Sequence, residues 1–441
     1  MNQATKRLIK KYNNENNCIV ISEFPSREKI KNDTALARYG QNTISSLKIN
    51  LLKENRKVIV LADIITKEEA YEHEDVLIIR CLRRNNIALF GRAIYYAFLL
   101  NKVKVILFEF EFAAYGNTLI SSTIPVLLLA FKLLGKKTFF ALHQVVSDIK
   151  TLNVHLNLSK KSPFLFILGK GLHIFYFMTG ILADKIIVLE GELKSRLSSF
   201  VNPKKIVVIP HGIEQAELTS KSNGKDFVLL SFGYIAWYKG LDNLIQAFNK
   251  LPEKINGRTL KLVIAGGKGV AQKGKPHYEQ YYDRIVSLAK TNPRITLTGF
   301  VAEKEIEKYF SLADLCVYPY KAFISSSGPL SFGVTYQKPM VLSNHLLAYL
   351  KSEDFNQAFI ESRLNKNDLF IKINSNEIKR IIEKVMSNQT YKKHIKMFTS
   401  YLLKNRNWNE LGKRYSSVLF SSQKAYRQSI LNLVKLRLDF L

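Results

Sequence analysis

The sequence predicts an α/β protein made of two doubly wound layers in tandem. Three observations carry this. Short Val- and Ile-rich runs recur along the chain, each followed by residues with helical spacing. The series halts at Pro210-His211-Gly212 and a polar stretch, then restarts and runs a second time. The 441 residues, 47% of them hydrophobic, suit two or three domains and exclude a disordered chain. Continuous apolar runs fit parallel strands buried on both faces, with helices between them.

In order, Cys18–Ser22 reads as a strand and Leu36–Lys53 as a helix. Strands follow at Lys57–Leu61, Val76–Ile79 and Val103–Phe108. Leu119–Leu134 reads as a helix, Lys137–Leu142 as a strand, Phe164–Ala183 as a helix and Lys185–Leu189 as a strand. Glu192–Ser198 (helix) and Lys205–Ile209 (strand) close the first series. Glu214–Asp226, rich in Ser, Asn and Gly, reads as a linker. The second series places strands at Phe227–Phe232, Leu260–Ala265, Ile295–Thr298, Leu315–Tyr318 and Met340–Ser343. Helices at Gly240–Lys250, Glu279–Lys290, Glu303–Leu312 and Leu330–Tyr336 alternate with them. The expected domains are 1–213, a linker 214–226, 227–400, and basic helices over 401–441 that pack back towards the first domain. No repeat of fixed period is present.

The chain carries 66 Lys+Arg against 36 Asp+Glu, a net charge of +30. Nucleic acid, an anionic membrane surface and a phosphate-bearing small molecule all suit that charge. The excess is even, with 31 basic and 17 acidic residues before 213 and 35 and 19 after it. No helix-turn-helix, zinc, RRM or KH pattern accompanies it, so nucleic acid is set aside. Residues 385–441 hold 11 basic and 2 acidic side chains, which fits either a solvated face or attraction to anionic lipid. Cys18, Cys81 and Cys316 have no metal-ligand spacing, and fit a reducing compartment. Met1–Asn17 has no apolar core and is not a secretory signal. Pro163–Leu182 is long enough to cross a bilayer, but it contains Lys170, His173 and three glycines. It reads as a helix that is buried or dips into a membrane surface without crossing.

Five constellations could carry chemistry. In Ser231-Phe232-Gly233-Tyr234 through Lys239-Gly240 a strand ends, a loop follows and a helix begins. Ligands in open α/β sheets bind beyond the carboxyl ends of strands. Lys239 there can face a phosphate near a helix N-terminus, although a solvent-exposed loop lysine fits the same spacing. Ser325-Ser326-Ser327-Gly328-Pro329-Leu330 opens a helix with favoured capping residues and a glycine that lets an anion approach, or is only a well-capped helix. His143 stands at a strand's carboxyl end, facing the crevice or satisfied by backbone. Glu109 and Glu111 alternate onto one side, where they could bind sugar hydroxyls or act as a base, or mark an exposed strand end. Ala265-Gly266-Gly267-Lys268-Gly269 matches neither a P-loop nor a dinucleotide fingerprint.

Taken in order, these stretches resemble the GT-B-fold glycosyltransferases, most closely glycosyltransferase family 4. The resemblance rests on Ala37-Arg38-Tyr39, Ala141-Leu142-His143, Ala183-Asp184-Lys185-Ile186-Ile187-Val188 and Val208-Ile209-Pro210-His211-Gly212-Ile213. It continues through Phe232-Gly233 to Lys239-Gly240-Leu241-Asp242, Leu262–Gly266, Thr298-Gly299-Phe300-Val301, Ala313-Asp314-Leu315 through Pro319, and Lys338-Pro339-Met340-Val341. It spans roughly residues 18 to 345 in family order.

The resemblance implies two Rossmann-like domains facing a central cleft, and metal-independent retaining hexosyl transfer without a cofactor. A nucleotide-diphosphate-sugar donor would serve a glycan or lipid-linked acceptor in surface polysaccharide synthesis, in the cytoplasm on the inner membrane face. It implies His143 as the group near the transferred sugar. Gly233, Lys239 and Ser326 through Leu330 would hold the diphosphate. Tyr234, Ser325, Phe300 and Val301 would lie at the sugar or nucleoside, and Arg38, Tyr39, Glu109 and Glu111 on the acceptor side. The chain departs from the family pattern at four places. Tyr234 stands at a usual arginine, Ser325 and Gly333 stand at the paired glutamates, and Thr34-Ala35 stands at the Gly-Gly pair. These departures open a second expectation, an impaired accessory protein that binds a nucleotide sugar or a partner transferase.

Overall fold

A computed structural model describes residues 1–26, 35–86, 88–112, 114–149, 161–216, 224–269 and 272–421. Thr34, most of the 214–226 linker and the tail 422–441 lie outside the described residues.

The first sheet has eight strands: β1 (Cys18–Ile21), β2 (Val58–Asp63), β3 (Glu69–His73), β4 (Val76–Leu82), β5 (Val105–Phe110), β6 (Lys137–Leu142), β7 (Lys185–Val188) and β8 (Ile206–Val208). Their order is β3-β4-β2-β1-β5-β6-β7-β8, and every pairing is parallel except β3 with β4. The second sheet contains β9 (Asp226–Phe232), β10 (Lys254–Ile255), β11 (Arg258–Ala265), β12 (Ile295–Leu297), β13 (Leu315–Tyr318), β14 (Met340–Ser343) and β15 (Phe370–Ile371). Its order is β10-β11-β9-β13-β14-β15, with β12 on the outer side of β11. Both are α/β layers of the GT-B kind.

The central strands are buried along their whole length, as continuous apolar runs require. The helices Ala88–Leu99, Ile124–Leu133 and Pro163–Leu182 share one face of the first sheet, each packed on the next. The other face is filled by Ala35–Leu52 and by the chain's last described helix, 408–421. Leu411, Tyr415, Leu419 and Phe420 of that helix complete a core with Val20, Leu47 and Val60.

Several elements depart from the sequence expectation for identifiable reasons. The single helix expected over Leu119–Leu134 is two, Thr118–Ser122 and Ile124–Leu133, because Pro125 suits a helix start and not an interior. Gln3–Tyr12, expected only as a polar segment, is a helix capped by Asn2 that buries Ile9 and Tyr12. Strand β3 (EAYEH) buries only Tyr71 fully, so no apolar run marks it.

Candidate active site

The carboxyl ends of β5, β6 and β9 and the start of the helix Gly328–Thr335 meet at one cleft. From the second sheet, β9 ends at Phe232 and the chain turns at Gly233, whose φ of +102° lies in the region that favours glycine. A Cβ at Gly233 would stand 2.6 Å from the Lys239 amine and 2.6 Å from Pro329 Cγ. Glycine is therefore required twice over, and the contact fixes Lys239 at the turn. Lys239 is buried, and among the described residues its amine has no hydrogen-bond or ion-pair partner. Burial alone brings its pKa down to about 7. A buried amine held beside the first turn of a helix has the chemistry to receive an anion.

The serines that open this helix are engaged elsewhere. Ser327 Oγ accepts from Leu330 N–H at 3.3 Å as the N-cap and lies 2.8 Å from the Tyr320 hydroxyl, while Ser327 N–H donates to the Tyr349 hydroxyl. Ser326 Oγ donates to Glu190 Oε1 at 2.8 Å. Capping and the domain interface thus use both hydroxyls, and what Ser326 could offer an anion is its backbone N–H. Gly328 has no atom within 4 Å of its Cβ position, so its backbone is the open part of the motif. Pro329 and Leu330 supply the first turn. Ser325 forms a backbone bridge with Gln144 across the cleft.

On the opposite wall His143 follows β6, and its Nε2 lies 2.7 Å from Glu109 Oε2 at the end of β5. Glu109 is completely buried, not an exposed strand end, and its Oε1 has no partner. Glu111 sits beyond the strand, half-buried. Burial, then the Glu111 carboxylate, pushes the Tyr238 phenol of the facing domain up to about 12. Tyr39 is buried edge-on to His143 with ring centroids 4.5 Å apart, and its hydroxyl lies 3.0 Å from that of Tyr415. Arg38 pairs with Glu303 across the cleft. The Tyr39 hydroxyl is thus engaged inside the first domain, while the Arg38 side chain stays partly exposed. Tyr234 and Phe300 stack at 6.4 Å as an exposed aromatic shelf, with Val301 buried behind them.

Gly266 and Gly267 serve packing. A Cβ at either would meet the backbone of Gly233 at 2.2 Å or of Phe300 at 2.8 Å. Gly333, where the resemblance expects an acid, has its side-chain space filled by the Tyr318 hydroxyl, 2.3 Å from the Cβ position. That hydroxyl donates to Pro329 O at 3.0 Å, so the vacancy left by the missing carboxylate is closed by a phenol.

Sequence reasoning missed an ionic cluster joining the walls. Arg406 donates to both Glu190 oxygens at 2.8 and 3.1 Å and to Asp354 at 2.7 and 2.8 Å. Ser352 adds a 2.6 Å bond to Glu190. Burial alone would lower the Arg406 pKa, but the two carboxylates reverse this and raise it. His211 also went unassigned. Burial lowers its pKa to about 4, so it is neutral at pH 7 beside Tyr39 and Trp408. Only the Pro210-His211-Gly212 break hinted at it. Glu190 and Arg406 are 216 residues apart, with no local signal between them.

Residues 213–401 match the family described as Glycosyl transferases group 1. That match covers 189 of the chain's 441 residues. The chain is 25% identical over 250 residues to an uncharacterized glycosyltransferase of Methanocaldococcus jannaschii, the match covering 54% of this chain and 58% of that protein. It is 25% identical over 219 residues to an alpha-monoglucosyldiacylglycerol synthase of Acholeplasma laidlawii, covering 48% and 49%. The chain thus aligns with about half the length of these curated relatives. Its fold resembles Anabaena Alr3699/HepE in complex with UDP, with a TM-score of 0.60, 13% identity and coverage of 92% and 99%. It also resembles sucrose-phosphate synthase of Thermosynechococcus elongatus, with a TM-score of 0.61, 12% identity and coverage of 94% and 99%. The match over 213–401 covers the wall that holds Lys239, and the solved structures extend the GT-B likeness of the fold to the other wall.

Proposed function

We propose that the protein is a retaining glycosyltransferase that moves a hexose from a nucleotide-diphosphate donor to a glycan or lipid-linked acceptor, at the cytoplasmic face of a membrane. The observation that carries this is Lys239, a buried, unpaired amine of pKa about 7 pressed against Gly233 and the first turn of Gly328–Thr335. A diphosphate is the ligand that such a site lacks. Anabaena Alr3699/HepE has been solved with UDP-glucose, a donor of this class. The Acholeplasma relative is named as a synthase of a glucosylated lipid, an acceptor of the class proposed.

In the transfer, an acceptor hydroxyl attacks the anomeric carbon and the bond from that carbon to the diphosphate oxygen breaks. The electron pair leaves with the nucleoside diphosphate, and the acceptor proton passes to its departing oxygen. Retention places attack and departure on the same face of the sugar. Charge grows on the diphosphate, where Lys239 and the helix amides are already oriented. No metal is needed for that neutralisation. His143, held by Glu109, faces the sugar from the other wall, and Tyr234 with Phe300 offers a surface to the nucleoside.

The test is product detection by mass spectrometry across UDP- and GDP-sugars, with a membrane-lipid extract as acceptor. A new glycoside whose anomeric configuration matches the donor's is the expected result. Measurable donor binding with no product would instead favour an accessory protein. The Tyr318 phenol in the space of an expected acid is the observation that keeps this second reading open.

A further inference from the structure

The first domain carries an apolar surface that the cleft does not use. The helix Pro163–Leu182 has a mean hydropathy of 1.6, yet only 28% of its apolar window is buried. Phe166, Ile167, Ile174 and Phe177 are each more than half exposed, with Phe166 at 67%. The neighbouring helices extend the surface through Leu119, Val126, Leu133 (79% exposed) and Phe98. Soluble monomers rarely leave so many large apolar side chains together in water.

The charge around this surface is mostly positive. Lys132 and Lys170 lie on the two helices, and Lys185 and Lys205 stand with Asp184 at the C-terminal end of Pro163–Leu182. Lys170 extends along the Phe166 ring, 5.5 Å from its centroid. Beside the C-terminal end of the helix, Lys132 and Lys185 are close enough to repel the charge of Lys205. Lys205 in turn caps that end through the carbonyls of Gly180 and Ala183, at 2.8 and 2.9 Å. Aromatic and aliphatic groups rimmed by lysines match the acyl boundary and headgroups of an acidic bilayer.

We infer that the outer face of Ile124–Leu133 and Pro163–Leu182 is a docking surface for a bilayer containing anionic phospholipid, with Pro163–Leu182 lying in the interfacial plane. This deepens the membrane-side reading above and moves the contact away from the basic C-terminal region. The helix 408–421 packs on the opposite face of the same sheet, and Arg406 is consumed by Glu190 and Asp354. The docking helix is tied to the cleft: Tyr176 on its inner side accepts from Val146 N–H at 2.9 Å, three residues after His143. An acceptor drawn from the membrane would enter beside that loop.

The experiment is flotation of the whole protein with vesicles of phosphatidylcholine alone or with about one third phosphatidylglycerol, without donor. Wild type is expected to float with the acidic vesicles and to be released by high salt. Exchanging three exposed side chains, Phe166→Ser, Ile174→Ser and Phe177→Ser, should abolish flotation while leaving the melting curve in place. Lys132→Gln and Lys170→Gln should each weaken binding about fivefold, and Lys393→Gln with Lys396→Gln should not. Flotation of the triple-serine protein at the wild-type level overturns the inference. So does a wild type that ignores both vesicles and instead self-associates in light scattering. Flotation needs no donor, so a protein that docks but transfers nothing sinks the proposed reaction and leaves the surface standing.

Discussion

The two walls of the cleft solve opposite electrostatic problems. On the wall built by the first sheet the ionisable groups already have partners: His143 with Glu109, Arg38 with Glu303, and Glu190 with Arg406. On the other wall Lys239 is buried with nothing to neutralise it among the described residues. A buried charge without a partner is costly in the empty protein, and the cost ends when a ligand supplies the missing charge. The first wall is therefore organised before any ligand arrives. The second, on the function proposed above, is organised for a ligand.

The sharpest way to break the first wall is Arg406→Ala. It leaves Glu190 and Asp354 buried without their cation, and should lower unfolding free energy by about 3–5 kcal/mol in denaturant titration. The donor contacts proposed for the other wall should be lost only through unfolding.

Breaking the second wall should have the reverse signature. Lys239→Ala should reduce turnover of the nucleotide sugar by roughly a hundred- to a thousandfold, with thermal stability equal to or above wild type. A protein that keeps its turnover removes Lys239 from the proposed role.

A third substitution tests the closed vacancy between them. Gly333→Ala places a methyl against the Tyr318 hydroxyl and should cost about 1–3 kcal/mol. Adding Tyr318→Phe should recover most of that loss in the same melting experiment.

The smallest effect is a proton count. Lys239 has a pKa near 7 when empty, so at pH 8 it is mostly neutral, and a bound diphosphate should charge it. Calorimetry in buffers of different ionisation heat should show uptake of up to about one proton at pH 8, and almost none at pH 6, where the amine is already charged. The Lys239→Arg protein should show no uptake at either pH. The same lowered pKa affects folding with a defined sign. Between the folded value near 7 and the unfolded value near 10.5 the unfolded chain holds the extra proton, so this group favours folding more as pH rises through that window.

The parts of the fold that could be read from the sequence were those that obey a local rule. β6, β13 and β14 carry uninterrupted apolar runs, and their observed bounds coincide with the expected ones. Strand β3 follows no such rule, because its partner β4 and not its own sequence makes it a strand. In the site, Gly233, Lys239 and the Ser327 cap followed from strand–loop–helix grammar. The fate of Ser326 did not: its hydroxyl is taken by Glu190, 136 residues away. Glu109 was placed at the right wall, but nothing in the alternation of Phe108–Phe112 indicates that His143 lies within 2.7 Å of it. Local grammar positions side chains, and pairings across the sheet decide which remain available for chemistry.

One packing feature governs how this protein is made. The core beneath the first sheet is finished by Leu411, Tyr415, Leu419 and Phe420 of the last described helix. Residues 1–213 emerge hundreds of residues earlier, with that face of the sheet uncovered. The usual sequence of synthesis, in which an N-terminal domain folds while the rest is still being translated, is therefore closed to this chain. The second domain can mature first, and the first must wait for residues 408–421. A graft that exchanges only residues up to the linker would carry an unfinished half, so the unit of recombination here is discontinuous and includes the C-terminal helix.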